Sequence, residues 1–167
     1  QARLLRALRT VIAHELGAAR ALSTGAAEVA AKLLHARAAD VLELALDVLF
    51  ALASRDGGFA AVHAALSRAA REQSEVSYER LALLATDGDA IEVQVAALTL
   101  INQLVLSAPD AAGRNRLLSR LTRHLGVHQV CGVVHVSEEV DVCERIGARG
   151  IGVWRLYADG RALGGVR

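Results

Sequence analysis

The chain has 167 residues, 53% of them hydrophobic and only 3% aromatic, with a formal net charge of +1. That length suits one domain with a core of its own. The apolar fraction excludes disorder throughout, and the balanced charge gives no push toward nucleic acid or an anionic membrane. A core so poor in aromatics must be built from Ala, Leu and Val. No apolar run reaches the ~18 residues needed to span a bilayer, and no charged-then-apolar signal segment opens the chain. Cys131 and Cys143 are too few for a disulfide framework, so a cytosolic protein is expected. The missing initiator methionine points to an excised fragment.

QARLLRALRTVIAHEL opens the chain, with Leu4, Leu5, Leu8, Val11 and Ile12 at helical spacing. GAARAL is a short helix or a turn. TGAAEVAAKLLHARA places Val29, Leu33 and Leu34 on one face. ADVLELALDVLFALAS follows, with Asp40 expected as its N-cap, and Asp56-Gly57-Gly58 breaks the chain. FAAVHAALSRAAREQ is amphipathic, its arginines gathered late where the helix dipole favours them. SEVSYERLALLATDGD gives a shorter helix ending at Gly88. DAAGRNRLLSRLTRHLG, after Pro109, is a basic helix with Leu117, Leu118, Leu121 and Leu125, and Gly126 is a natural stop.

The segment between these last two, IEVQVAALTLINQLVL at 91–106, is apolar around most of its circumference. At 100° per residue Glu92, Thr99 and Gln103 form a polar stripe, with Val93, Ala97, Leu100 and Leu104 roughly opposite. Asn102 falls off that stripe, near Ile91, Val95 and Leu98. A buried amide without a partner costs about 1–3 kcal/mol. Asn102 is therefore either satisfied inside the protein or placed at the edge of a groove.

Successive helices with short loops imply a bundle or an α-solenoid. The order favours the solenoid, because two long apolar helices, 41–54 and 90–106, recur about fifty residues apart and each follows shorter amphipathic helices. The expected fold is all-α, an armadillo-like right-handed α-solenoid over residues 1–130. Residues 131–167 form a Gly/Val-rich, irregular extension, disordered or a hairpin; VWRLYADGRAL carries the Asp-Gly turn of a hairpin.

Catalytic signatures do not assemble. His14-Glu15 begins like a zinc-protease helix, but position 18 is Ala18 and no second histidine follows. His128, Cys131, His135 and Cys143 have ligand side chains at a spacing that fits no tight metal knuckle. GARGIG at 147–152 lacks the dinucleotide order, and Glu138-Glu139 is read as a solvated pair. No enzyme, catalytic residue, metal or cofactor is expected.

The helical run resembles the armadillo-type inhibitory region of diaphanous-related formins, the formin homology three region beside the GTPase-binding segment. LALDVLFALASRDGG at 44–58 is similar to the family's long helix and the loop after it. FAAVHAALSRAAREQSEVSYERLALL at 59–84 is similar to the following helix, polar break and second helix. IEVQVAALTLINQLVLSAPD at 91–110 matches the family's Leu-Ile-Asn helix, and RNRLLSRLTRHLGVHQV at 114–130 its next helix. Two positions depart from the pattern: Ser54 stands where an apolar residue is usual, and Ala13 where a polar one is.

The resemblance implies a non-catalytic regulatory domain, cytoplasmic and associated with the cytoskeleton. It would bind the formin's own C-terminal amphipathic autoinhibitory helix on its concave face. A Rho-family GTPase would release it, so that actin is controlled indirectly and neither nucleic acid nor membrane is a partner. In such an array the last helix of each repeat lines the groove. The expected contacts are then Leu44, Asp47, Ala51 and Ser54 on one lining helix, and Val95, Thr99, Asn102 and Leu106 on the next. The alternative is a generic armadillo or HEAT-like scaffold that binds another helix or peptide.

Overall fold

A computed structural model of the chain describes residues 2–87, 90–125, 157–158 and 161–162. Eight helices occupy the main part: α1 (Ala2–Ile12), α2 (Glu15–Ser23), α3 (Ala26–Leu33), α4 (Ala39–Ala53), α5 (Gly58–Glu72), α6 (Glu79–Asp87), α7 (Ile91–Leu106) and α8 (Ala111–Leu125). Near the C-terminus β1 (Tyr157–Ala158) pairs antiparallel with β2 (Arg161–Ala162), Tyr157 opposite Ala162.

The helices repeat. α3 and α6 begin at Ala26 and Glu79, α4 and α7 at Ala39 and Ile91, α5 and α8 at Gly58 and Ala111. In each pair the second helix starts 52 or 53 residues after the first. The packing repeats with them: α3 lies on α5 as α6 lies on α8, α3 covers α4 as α6 covers α7, and α1, α4 and α7 stand side by side in a row. Equivalent helices stacking on their neighbours define an armadillo-type α-solenoid.

The core explains the low aromatic content. Ala45, Leu46, Val48, Leu49 and Leu52 of α4 are fully buried, and each such leucine contributes about 1.5–3 kcal/mol by leaving water. α7 buries Val93, Ala97, Leu100, Ile101, Leu104 and Val105, so the stripe expected to face inward does so. Between α3 and α5 the contact is made by small residues, Ala27, Ala30 and Ala31 against Ala65 and Ala69, which lets the two helix backbones come close. Two exposed ion pairs, Arg68–Glu28 at 3.1 Å and Lys32–Glu72 at 2.8 Å, flank this seam.

Several local expectations are corrected. Val29 is 59% exposed; the buried face of α3 is the alanine face followed by Leu34, because eight residues packed on both α4 and α5 leave no room for a β-branched side chain in the seam. The N-cap of α4 is Ala38, whose side chain cannot cap, and Asp40 sits inside the first turn, where a carboxylate still favours the helix dipole. α1 stops at Ile12 rather than running to Leu16. There Arg55 Nη2 donates to the carbonyls of Ile12 and Ala13, both at 3.2 Å, which satisfies orphan groups at the helix end. α8 does have a side-chain cap: Asp110 Oδ1 accepts from the Gly113 amide at 2.5 Å.

The turn from α4 into α5 depends on two glycines. Gly57 has φ +72°, the left-handed region. Gly58 opens α5 so close to the end of α4 that a Cβ there would overlap the Leu52 carbonyl oxygen.

Candidate functional site: the groove between α4 and α7

α4 and α7 are both packed from behind, α4 by α3 and α5, α7 by α6. What remains outside is a groove of about 380 Å³ between them, lined by Glu43, Asp47 and Phe50 of α4 and by Ile91, Glu92, Val95, Ala96 and Thr99 of α7. Its apolar part is Phe50, Ile91, Val95 and Ala96. Ile91 and Val95 are 69% and 58% exposed. Its charged part is Glu43, Asp47 and Glu92, all acidic. Asp47 is also paired with Arg9 of α1 at 3.0 Å, so the first helix of the row is tied to the groove's edge.

Of the residues expected from sequence, Asp47, Val95 and Thr99 line this groove. Thr99 spends its hydroxyl on the Val95 carbonyl at 2.7 Å. Leu44 is 8% exposed and belongs to the core: on α4 it lies one position round from Glu43, on the side that packs against neighbouring helices. Ala51 is half-buried against the core. Ser54 ends α4, its hydroxyl donating to the Phe50 carbonyl at 2.9 Å. Leu106 is 49% exposed at the far end of α7. Glu43, Phe50, Ile91, Glu92 and Ala96 were not expected; Ile91 and Val95, four apart on the face opposite the stripe Val93, Ala97, Leu100 and Leu104, were the available signal.

Asn102 is half-buried. Its Oδ1 is covered and has no hydrogen-bond partner among the described residues, a state that costs about 1–3 kcal/mol. Its neighbour Gln103 is satisfied: Gln103 Nε2 donates to Ser107 Oγ at 2.8 Å, and Ser107 Oγ reaches the Ala53 carbonyl at 3.5 Å, which links the ends of α7 and α4.

A second polar feature lies behind the groove, at the joint of α5 with the loop before α6. Tyr78 is 3% exposed and has φ +73°, and its hydroxyl makes a short hydrogen bond with His63 Nδ1. Phe59 stacks on the other side of His63, ring centroids 5.8 Å apart. Burial, helped by the charge on Arg120, holds the His63 imidazole below its ordinary value. Burial pushes the Tyr78 phenol well up, with Arg120 opposing. The pair is a braced structural joint; Tyr78 also borders a small crevice with Ala31, Leu34, Leu66 and Leu81.

Among the described residues no group of three His, Cys, Asp or Glu side chains could hold a metal ion, and no helix is long and apolar enough to cross a membrane. His128, Cys131, His135, Cys143, the 147–152 glycines and Glu138-Glu139 lie outside the described residues.

A row of every third helix, α1, α4 and α7, with an open, partly apolar groove between two of them defines an armadillo-type interaction domain. The comparisons with known proteins narrow this. A family model described as the FHOD1/3 FH3 domain matches residues 1–130, and the chain belongs to that family. The formin region is the one the sequence resembles; the branch named by the match is FHOD1/3, which is not strictly diaphanous-related. Formin-C of Dictyostelium discoideum is 36% identical over 90 residues, 54% of this chain, and the chain spans 8% of that protein's length. No solved structure matches. FH3 is a regulatory protein-interaction domain of formins rather than a known catalytic one.

Proposed function

We infer that this FH3 domain regulates its formin by holding an amphipathic helix from the formin's own C-terminus in the groove between α4 and α7. The observation that carries this is the groove's composition: exposed Ile91 and Val95 beside Phe50 and Ala96, with Glu43, Asp47 and Glu92 around them. A helix lays its apolar face into such a channel through side chains spaced three and four apart, and basic residues flanking that face would meet the three carboxylates. Asn102, with an unpaired carbonyl oxygen near the same helix face, supplies an acceptor that a bound helix or a neighbouring repeat satisfies. Occupancy of the groove would keep actin filament assembly off, and a Rho-type GTPase acting on the same N-terminal region would release it.

The test is a titration of the purified chain with a labelled peptide of a formin C-terminal helix, at low and at moderate salt. Micromolar or tighter binding that weakens with salt and is lost in Val95→Asp, with the far-UV spectrum unchanged, supports the reading. Val95 is a fair position because it is exposed and buries nothing in the core. No binding by folded wild-type protein would leave an armadillo scaffold that takes a different ligand.

A further inference from the structure

On the other side of α4 and α7 is a larger cavity of about 670 Å³, within the ~300–1,000 Å³ usual for ligand sites. It shares no lining residue with the groove. Its charged and titratable lining is His35 and Arg37 from the loop between α3 and α4 and Arg80 from α6, and among the described residues no carboxylate lines it. Its walls are aliphatic: Leu42 of α4, Leu83 of α6 and Val93 of α7 among them, with Leu83 42% exposed.

The two guanidiniums are differently held. Arg80 Nε donates to the Leu34 carbonyl at 2.8 Å, which fixes its plane at the cavity wall and leaves its other N–H groups free to fork onto a carboxylate. Arg37 is exposed and makes no ion pair among the described residues. The carboxylate within pairing distance of this trio is Glu75, 3.7 Å from His35, and it lies outside the cavity lining. On a chain of net charge +1, the charged side chains described along the groove are thus carboxylates, and those described along the cavity are the guanidiniums of Arg37 and Arg80.

We propose that this cavity is a second docking site, for a partner-protein segment that places a Glu or Asp next to Leu-type side chains. The carboxylate would bridge Arg37 and Arg80, and the aliphatic side chain would cover Leu83. The charge of the site rejects the basic helix proposed for the groove, so the two sites select different partners and can be filled together.

The test uses a blocked peptide, Glu-Leu-Leu-Glu-Glu-Leu-Leu-Glu, titrated into the isotope-labelled chain and followed by amide shifts. Shifts at Ala36, Leu83 and Val93 with Val95 and Thr99 unmoved are expected, and Arg37→Glu, an exposed position that leaves the fold intact, weakens binding at least tenfold. Arg80→Lys, which keeps the charge and loses the fork, weakens it several-fold. Equal binding of the peptide with Gln in place of Glu would overturn the proposal, as would shifts confined to the groove or undiminished binding by Arg37→Glu. The same shifts produced by inorganic phosphate or by anionic vesicles at equal charge concentration, without the peptide's dependence on Leu, would also overturn it, by showing a site for any anion.

Discussion

α4 and α7 hold equivalent places one repeat apart, yet they are covered differently. α4 stands between α1 and α7 and is backed by α3 and α5. Nine of its fifteen residues are buried, so it is core almost all round. α7 has α4 on one side and is backed by α6 and α8, and along it Ile91, Val95 and Leu106 stay exposed. The same kind of apolar helix is a girder in one position and a face in the other. Apolar content alone says that a helix is packed; only its neighbours say which of its sides are left for a partner.

Mutations can break that comparison. Leu49→Ala, in the fully buried middle of α4, should cost about 2–5 kcal/mol by leaving a cavity, read as a lower urea midpoint at constant slope. Val95→Ala on α7 should cost well under about 1 kcal/mol in the same assay. Equal losses would mean that α7's outer face is as covered as α4's. Gly58→Ala comes next: its new methyl meets the Leu52 carbonyl, and such overpacking costs about 1–3 kcal/mol. Gly58→Ala should also lower the melting temperature more than Ala60→Gly two residues on. Asn102→Ala should not lower the melting temperature, because it removes a covered oxygen that has no partner. It should weaken binding of the C-terminal helix peptide by about 1–2 kcal/mol; a large fall in stability would instead assign Asn102 to bracing the array.

The smallest effect concerns pH. His63 is held below its unfolded value of 6.5 by burial and by Arg120. Between its folded and unfolded pKa the unfolded chain therefore binds more protons than the folded one. The stability it supports is fully present above about pH 6.5 and is lost as pH falls from there toward its folded pKa. Urea midpoints compared at pH 7.5 and 5.5 should show a fall that shrinks in His63→Gln; an identical fall in both proteins would place the proton uptake elsewhere.

Much of the fold was legible because its helices carry their own punctuation. The stop at Asp56-Gly57-Gly58, the proline before α8 and the inward stripe Val93, Ala97, Leu100 and Leu104 all read directly from the chain. Val29 misled because an alanine-built seam offers no hydrophobic signal stronger than the valine on its outer side. Asp40 misled because the cap position went to Ala38, which has nothing to cap with. Of the residues expected from the sequence, Asp47, Val95 and Thr99 lie along the groove, and on α4 Glu43 and Phe50 stand there one residue, about 100° round the helix, from the expected Leu44 and Ala51. A helix apolar all round gives no phase to its rotation, and which turns of α4 and α7 meet depends on their crossing, which no local pattern records. The basic cavity was invisible for the same reason: a loop at 35–37 and parts of three helices meet there only after the repeats have stacked.

The side-by-side row also governs how the array comes apart. α1 and α7 each lean on α4, and stacked units of this kind interact chiefly with their neighbours. Of these three helices α4 has a neighbour in the row on both sides, so its backbone amides should exchange with deuterated solvent more slowly than those of α1. The Arg55 side chain that holds the last carbonyls of α1 acts as a latch between that helix and the turn after α4, and releasing it would loosen the helix whose Arg9 pairs with Asp47 at the groove's edge.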